Sequence, residues 1–390
     1  MNKHYLKFGV GVMAGCMSMP LFAGITLGDA KTQEGALTLS GAVRANYQYK
    51  SFGEPAADQK IQFNAAILDV NYDALDWFAS AQYRCYQNDQ LCDQSMLVHA
   101  YAGYKLNRTD NITLGLQPIS FGPSRYWDSS FYAGINNTMG LQDALNLGVN
   151  YHFELPSSTQ FDLAYFVTDG GNYSGDSLNA SRYTANFVKT SDASQTSLKE
   201  KNMWMGRVKQ ELAFLTNDDL NVSLGGSYWY SELDNKNNGE TGSRKAWALF
   251  SQMNYQNLNM TLTGGKQTIA NKDATHPFSS TIGSFDTEYE LANKGFFYTL
   301  DTSYSFKNVR EHLNITPYLV FSGFDKSEHT FDDSQRHIIG AAWNYKQLSL
   351  YTEYVVAKND PFIGGNAYSL AQGDDGKWNK LANFMLVYNF

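Results

Sequence analysis

The chain has 390 residues and is acidic, with 30 lysine and arginine residues against 38 aspartate and glutamate residues and a net charge of −8. This balance excludes a protein that binds nucleic acid through its overall charge. Aromatic residues make up 15% of the chain, and only 8 residues are proline. This composition is typical of an exported membrane β-barrel, whose strands need apolar residues only at alternate positions.

The first 23 residues have the features of a secretory signal peptide. Lys3 and Lys7 precede an apolar run that begins at Phe8 and ends in the small residue Ala23. The run is short for a membrane-spanning helix, and we predict cleavage after Ala23. An alternative is that Met-Ala-Gly-Cys at 13–16, which resembles a lipoprotein signal, makes Cys16 a lipidation site.

The first stretch after the signal peptide alternates with period two. Every second residue from Leu37 to Tyr49 is apolar, small or aromatic, whereas the residues between them, such as Arg44, are mostly polar. Side chains alternate across a strand, and this strand is long enough to cross a tilted bilayer span. Similar stretches predict about sixteen strands in all, at 61–72, 77–86, 95–105, 111–121, 143–154, 159–168, 201–214, 220–233, 243–255, 258–268, 295–306, 312–323, 335–345, 348–357 and 379–390.

The connectors alternate between long and short. The long ones are 51–60, 87–94, 122–142, 169–200, 234–242, 269–294, 324–334 and 358–378, and those between them are much shorter. Outer-membrane barrels have short periplasmic turns and longer external loops. The sequence therefore predicts an all-β fold, a transmembrane antiparallel up-and-down β-barrel of about sixteen strands, with residues 24–390 as one domain and both ends on the periplasmic side.

The last stretch places Ala382, Phe384, Leu386, Tyr388 and Phe390 on one face of a strand. The opposite face is more polar. An ordinary edge strand of a β-sandwich is the alternative for this stretch alone. A strand that ends on an aromatic residue resembles the closing strand of bacterial outer-membrane barrels.

Four motifs in the first third of the chain carry a family resemblance. They are SGAVRANYQYK at 40–50, SAQYRCY at 80–86, VHAYAGYK at 98–105 and LGLQPISFG at 114–122. They are similar to the first strands of a proteobacterial outer-membrane porin group related to the phosphate-selective porins. The resemblance implies a sixteen-stranded channel, usually trimeric, with an inward-folded third external loop. Phosphate-selective members line the pore with many basic residues, whereas this chain has only scattered ones.

The lumen of a sixteen-stranded barrel is wide enough to hold water, so the residues that narrow and charge it determine what passes. For each candidate, the alternative is a salt-bridge network that only stiffens the wall. Arg44 and Arg84 are the strongest candidates because they lie in mid-strand. The residues predicted to face the lumen are Arg44, Arg84, His99, Tyr101, Arg207, Lys209, Asp301 and Glu353.

The third external loop, near 122–142, is rich in aromatic residues. Four of them lie within seven positions, in a segment that would otherwise be exposed to water: Tyr126, Trp127, Phe131 and Tyr132. Such a group indicates packing against protein, and an inward fold would leave Arg125 and Asp128 at the narrowest point. The alternative is that the aromatic residues cap the rim or contact a neighbouring subunit.

Two cysteines remain after signal cleavage. Cys85 and Cys92 flank the short segment YQNDQL on the same predicted face of one hairpin. Opposed residues of antiparallel strands point the same way, so a disulfide between them is possible in an oxidising compartment.

These features predict a porin, exported through the periplasm to the outer membrane, that lets small hydrophilic solutes or ions diffuse passively. The partners predicted are membrane lipid, lipopolysaccharide, the solutes and two further copies of the chain in a homotrimer. No cofactor, metal site or catalytic motif is predicted, and no nucleic acid. The alternatives are a surface receptor or adhesin, with recognition carried by loops 169–200 and 269–294, and a barrel hydrolase.

Overall fold

A computed structural model describes residues 24–53, 61–171, 173–190, 192, 194–217 and 219–390, so the predicted signal peptide and Cys16 lie outside the described residues. The described residues form strands and one short helix, α1 (Ile135–Thr138). The strands are β1 (Ile25–Gly28), β2 (Ala36–Lys50), β3 (Gln62–Asp73), β4 (Trp77–Tyr86), β5 (Gln94–Lys105), β6 (Asn111–Pro118), β7 (Leu145–Leu155), β8 (Thr159–Asp169), β9 (Asn186–Phe187), β10 (Leu198–Glu211), β11 (Leu220–Asn235), β12 (Thr241–Tyr255), β13 (Leu258–Ala270), β14 (Ser279–Ser284), β15 (Thr287–Ala292), β16 (Lys294–Tyr304), β17 (Phe306–Arg310), β18 (Leu313–Lys326), β19 (Ser334–Tyr345), β20 (Leu348–Lys358) and β21 (Asn379–Asn389).

Sixteen long strands pair with their neighbours in chain order and close into an antiparallel barrel. The first and last of them, β2 and β21, form the closing pair, with Ala42 opposite Asn389. Beyond that pair, Gly41 and Phe390 exchange backbone hydrogen bonds of 2.9 and 3.0 Å. The remaining start of β2 pairs with β1. The prediction of an all-β barrel of about sixteen strands is confirmed.

The two faces of each barrel strand differ as the period-two pattern predicts. On β21 and at Phe390 directly after it, Phe384, Leu386, Tyr388 and Phe390 are exposed on the outer surface, whereas alternate residues, including Met385, are buried inside. The exposed apolar residues form the outward surface that a bilayer requires, and closure leaves no free sheet edge in the hydrocarbon. Among the described residues, no helix is long and apolar enough to span a membrane.

The external half of the barrel is filled by inward-folded loops. The third external loop (residues 119–144) lies against the inner faces of β16, β18, β19 and β20. The sixth (residues 271–293) forms the hairpin β14–β15, and β9 of the fourth loop extends it into a three-stranded sheet, with Ile282 opposite Phe187. All residues of β14 are buried. In the receptor alternative loops 169–200 and 269–294 carry recognition, but β9, β14 and most of β15 are buried and cannot contact a partner outside the barrel.

One apolar cluster joins these loops to the wall. It contains Trp127 and Ile135 of the third loop, Phe187 of the fourth, Leu291 of the sixth and Phe297 of the wall. Burying such side chains contributes about 1.5–3 kcal/mol each, so the loops are held as firmly as a protein core. Toward the periplasmic turns the inner wall changes to half-exposed polar residues, namely Gln252, Asn254, Asn259 and Thr261. The bore is therefore wide on the periplasmic side and narrow on the external side.

Candidate functional site

Three arginines form a cluster at the narrow level of the bore, and we call Arg44, Arg84 and Arg125 the arginine cluster. Each guanidinium lies over an aromatic ring, 4.8–5.0 Å from the ring centroid. Such cation–π contacts hold a guanidinium in place while its N–H edges stay available. The pairs are Arg44 with Phe131, Arg84 with Tyr183, and Arg125 with Tyr126.

The strand register brings the two wall arginines together. Arg44 of β2 lies opposite Ala65 of β3, and Arg84 of β4 lies opposite Ile67 of the same strand. Their positions along β3 therefore differ by only two residues, and both lie on the inward face. Arg125 reaches the same region from the third external loop, so the cluster combines wall and loop.

The cluster carries an excess of positive charge. Arg125 forms an ion pair with Asp143. Arg84 donates instead to the uncharged Gln82 Oε1 at 2.7 Å and to Tyr86 Oη at 3.1 Å. Within the described part of the chain, neither Arg44 nor Arg84 forms an ion pair, and Arg44 Nε has no hydrogen-bond partner. Two guanidinium charges are thus left without a carboxylate partner among the described residues, and Arg84 is itself only 7% exposed.

The loop side of the cluster keeps its charge state across the physiological pH range. Burial raises the pKa of Tyr126 and raises that of Tyr183 well above its usual value, so both phenols stay neutral. Burial alone would lower the pKa of Arg125, but Asp143 and the two tyrosines outweigh it and the net pKa is raised. The loop groups therefore offer neutral hydroxyls and a permanent cation.

Gly122 allows the third loop to turn into the bore. Its φ is 77°, a conformation that a side chain rarely adopts, and a Cβ atom there would lie 2.5 Å from the Trp127 ring. Trp127 Nε1 donates to the Phe121 carbonyl at 3.1 Å. The ring is buried against Phe297 of β16, so this turn fixes where the loop enters.

Asp301 and Glu353 are covered by the third loop. Asp301 accepts hydrogen bonds from the backbone N–H and the hydroxyl of Ser129, and Glu353 accepts from the Phe131 N–H. Their exposed fractions are 3% and 4%. The prediction that they line the lumen is therefore wrong, because they anchor the loop. Neither of these two carboxylates therefore lies in the open bore, where it could offset the positive charge of the arginine cluster.

Asp128 and Arg207 also hold the loop. Asp128 is buried and accepts hydrogen bonds from the Gly134 N–H and from Gln142 Nε2, both at 3.0 Å, so it organises the loop and does not lie at the narrowest point as predicted. Arg207 donates to the carbonyls of Gly122 and Pro123 and forms an ion pair with Asp162. Lys209 lies on the same inward face, nearer the periplasm, and is partly exposed.

His99 is part of the wall. It is buried, its Nε2 lies 2.9 Å from Ser80 Oγ, and its ring packs 5.6 Å from the ring of Tyr101, which is half-buried. Within the described residues, no group of three or more His, Cys, Asp or Glu side chains could hold a metal ion. Both side chains lie near the arginine cluster without belonging to it.

Cys85 and Cys92 are joined by a disulfide with a Cα–Cα distance of 4.9 Å, inside the usual range. We predict that protein isolated from the envelope without reductant has no free thiol on either residue, measured by alkylation and mass spectrometry. Reduction should lower the free energy of unfolding by about 2.5 kcal/mol, because the bond restricts the unfolded chain. Alkylation of both cysteines before reduction would contradict the prediction.

Several residues of the site lie beyond the sequence prediction. Tyr183 comes from the fourth loop and donates to Asp143 of the third, a contact between segments far apart in the sequence. The bidentate ion pair between Arg336 and Asp360, at 2.7 and 2.8 Å, is buried in the same interior. No local pattern indicates either contact.

The fold is a porin-like sixteen-stranded barrel, and solved structures of outer-membrane proteins have a similar fold. The outer-membrane channel DcaP of Acinetobacter baumannii has a TM-score of 0.58 at 15% identity over 93% of this chain and 100% of that one. OmpF of Salmonella typhi, in complex with daunomycin, has a TM-score of 0.60 at 14% identity, over 94% of this chain and 100% of the OmpF chain. The anion-selective porin from Comamonas acidovorans has a TM-score of 0.51 at 14% identity, over 91% of this chain and 100% of the porin chain. No family model and no curated protein matches the sequence. At these identities the likeness shows the fold.

Proposed function

We propose that the chain forms a water-filled diffusion channel for small hydrophilic solutes that prefers anions to cations. The arginine cluster carries this proposal. Two of its guanidinium groups lack a carboxylate partner among the described residues, and they lie where loops narrow the bore. In a confined, poorly screened passage such charges act more strongly than on an open surface. A cluster of three arginines supports a general anion preference more than the selectivity of the phosphate-selective porin group.

The proposal includes the cellular setting. The protein would be exported through the periplasm, inserted into the outer membrane among phospholipid and lipopolysaccharide, and assembled as a homotrimer. The oligomeric state is tested by chemical crosslinking in intact outer membranes. A steady current in a planar bilayer without added ligand separates a channel from a surface receptor and from a barrel hydrolase.

Replacing Arg44 and Arg84 together by Glu is expected to move the reversal potential in a salt gradient from anion toward cation selectivity. The double change converts the two uncompensated positive charges into negative ones at the same place. The measurement is single-channel recording, with folding checked by heat-modifiable gel mobility.

Two controls accompany this test. The variant Arg44→Lys/Arg84→Lys keeps both charges and should keep anion selectivity. The variant Lys307→Glu reverses an exposed charge at a periplasmic turn and should change little. An unchanged reversal potential in the double Glu variant would show that the arginine cluster does not control ion passage.

A further inference from the structure

A cavity of about 490 Å³ lies at the external rim, between the top of β10 and the fourth external loop. Its floor is apolar and fully buried, formed by Phe187 and Leu198, and Leu178 at its mouth is 89% exposed. The volume is typical of a small-molecule site. We call this cavity the rim pocket. It lies outside the arginine cluster, and neither the barrel fold nor the proposed channel function accounts for it.

The rim pocket exists because the barrel wall is incomplete there. The pairing of β8 with β10 ends at Thr168 and Lys201, and the first residues of β10, before Lys201, have no β8 partner. The fourth loop crosses this gap, with the Leu198 N–H bonded to the Val188 carbonyl at 2.8 Å. The pocket therefore lies at the gap between β8 and β10, with Thr168 of one strand and Leu198 and Lys199 of the other in its lining.

The charges around the rim pocket favour an anion. Lys189 and Lys199 line it, and the side chain of neither makes a hydrogen bond or ion pair with another described residue. Arg182, also in the lining, is paired with Asp169 at 3.4 Å. Lysines left without partners in a chain of net charge −8 form a local positive site.

The acid closest in register does not neutralise these lysines. Asp234 lies opposite Lys199 on the neighbouring strand, but Lys201 and Lys236 already bind it, at 3.0 and 3.1 Å. Lys201 also lies 3.9 Å from Glu232, so Lys201 and Lys236 are balanced by two acids. The unpaired charge of Lys199 is thus available to a ligand.

The position of the rim pocket indicates where the anion comes from. Tyr165 and Trp204 pack together on the outer face of the barrel with ring centroids 4.7 Å apart and the rings tilted by 48°, and Trp204 is 61% exposed. Outward aromatic pairs of this kind mark the membrane interface. Lys199 lies further along β10 toward the external rim, about 10 Å higher at the usual rise and tilt of a barrel strand. This is the level of lipid headgroups, not of the hydrocarbon.

We propose that the rim pocket binds the phosphorylated headgroup of a lipid in the outer leaflet, with phosphate oxygens at Lys189 and Lys199 and the sugar or glycerol part in the cavity. A free phosphate ion would satisfy the lysines equally but would leave the apolar floor and the exposed Leu178 uncovered. The proposal rests on the barrel fold and not on channel activity. Loss of lipid binding and loss of conductance can therefore be told apart.

The test uses the folded full chain in phosphatidylcholine nanodiscs, with bisphosphorylated lipid A as the probe and native mass spectrometry or fluorescent lipid titration as the readout. We expect Lys189→Glu/Lys199→Glu to weaken lipid A binding by about tenfold or more, since each basic residue near a charged surface adds to affinity. Dephosphorylated lipid A should bind the unchanged protein equally weakly. The matched control Lys31→Glu/Lys307→Glu makes the same charge change at exposed periplasmic positions and should bind lipid A normally.

Two results would overturn the proposal. If the Lys189→Glu/Lys199→Glu variant binds lipid A like the unchanged protein, the rim pocket is not the headgroup site. If inorganic phosphate binds as tightly as lipid A and displaces it completely, the pocket takes a free anion and the lipid source is wrong. Both lysines lie at the surface, and the Ala variants of the same positions, with unchanged gel mobility, verify that any loss is not misfolding.

Discussion

Replacing Asp360 by Asn is expected to lower the free energy of unfolding by about 3–5 kcal/mol, because it leaves the buried guanidinium of Arg336 without its counter-charge. The ion pair is bidentate and almost fully enclosed, with side-chain exposures of 2% and 0%. Arg336 also donates to the Ala133 carbonyl and to Thr138 Oγ1. The substitution should therefore also loosen the third loop and make single-channel current noisier. Chemical denaturation followed by tryptophan fluorescence measures the first effect.

A matched control lies in the same external loop as Asp360. Asp375 pairs with Lys377 at 2.7 Å, but both side chains are largely exposed. Asp375→Asn should leave the unfolding midpoint unchanged, since solvent screens such pairs. Removing both charges, in Arg336→Met/Asp360→Leu, should cost less than the single change if the unpaired charge is the cause. Equal unfolding midpoints for Asp360→Asn and Asp375→Asn would contradict the expectation.

Replacing residues 271–291 by Asn-Gly is expected to raise single-channel conductance severalfold. Thr268 lies opposite Lys294 in the register of β13 and β16, so Ala270 and Ala292 can be joined by a two-residue hairpin turn. The deletion removes β14 and all of β15 except Ala292, and the buried residues of this hairpin fill the external half of the bore. The third loop keeps its own anchors on Asp301, Ser322 and Glu353. Larger neutral sugars should therefore also pass in a liposome-swelling assay.

Two further deletions serve as comparisons for the removal of the β14–β15 hairpin. Shortening the exposed turn at 236–239, on the same external side, removes no buried residue and should leave conductance unchanged. Deleting 124–137 removes the loop half of the arginine cluster, so it should change ion selectivity as well as conductance. A hairpin deletion variant that shows heat-modifiable mobility and conducts like the unchanged protein would show that β14–β15 does not obstruct the path.

The barrel could be predicted from the sequence because a bilayer imposes period two on every strand and segregates connector lengths. The inward third loop could be predicted because Trp127 and Phe131 would otherwise be exposed to water. Charge patterns were less informative. Asp301 and Glu353 have the inward parity that was predicted, but parity does not indicate whether a loop covers the side chain.

The hairpin β14–β15 could not be predicted as an interior element. Its strands have only six residues each, too short to distinguish a buried strand from an ordinary external loop. Its partners are far away in the sequence, as when the Tyr289 hydroxyl donates to the Thr138 carbonyl at 2.7 Å. A β-bulge also makes strand residues harder to assign to the inner or outer face from the sequence. Val98 has no opposite residue between the pairs Gln82–His99 and Tyr83–Leu97, so the alternation on β5 breaks there.

The closing pair between β2 and β21 also constrains how the barrel is made. Its partners are far apart along the chain, 335 residues in the case of Gln48 and Asn383, so this contact has a very high contact order. Such contacts form late, because a long segment must be ordered before they stabilise anything. During biogenesis the edge of β2 that later pairs with β21 therefore keeps unpaired backbone N–H and C=O groups until β21 has folded. An unpaired edge is tolerated in water but not in hydrocarbon. We infer that insertion and closure are coupled, and that a truncated chain ending before β21 would have no stable place in the bilayer.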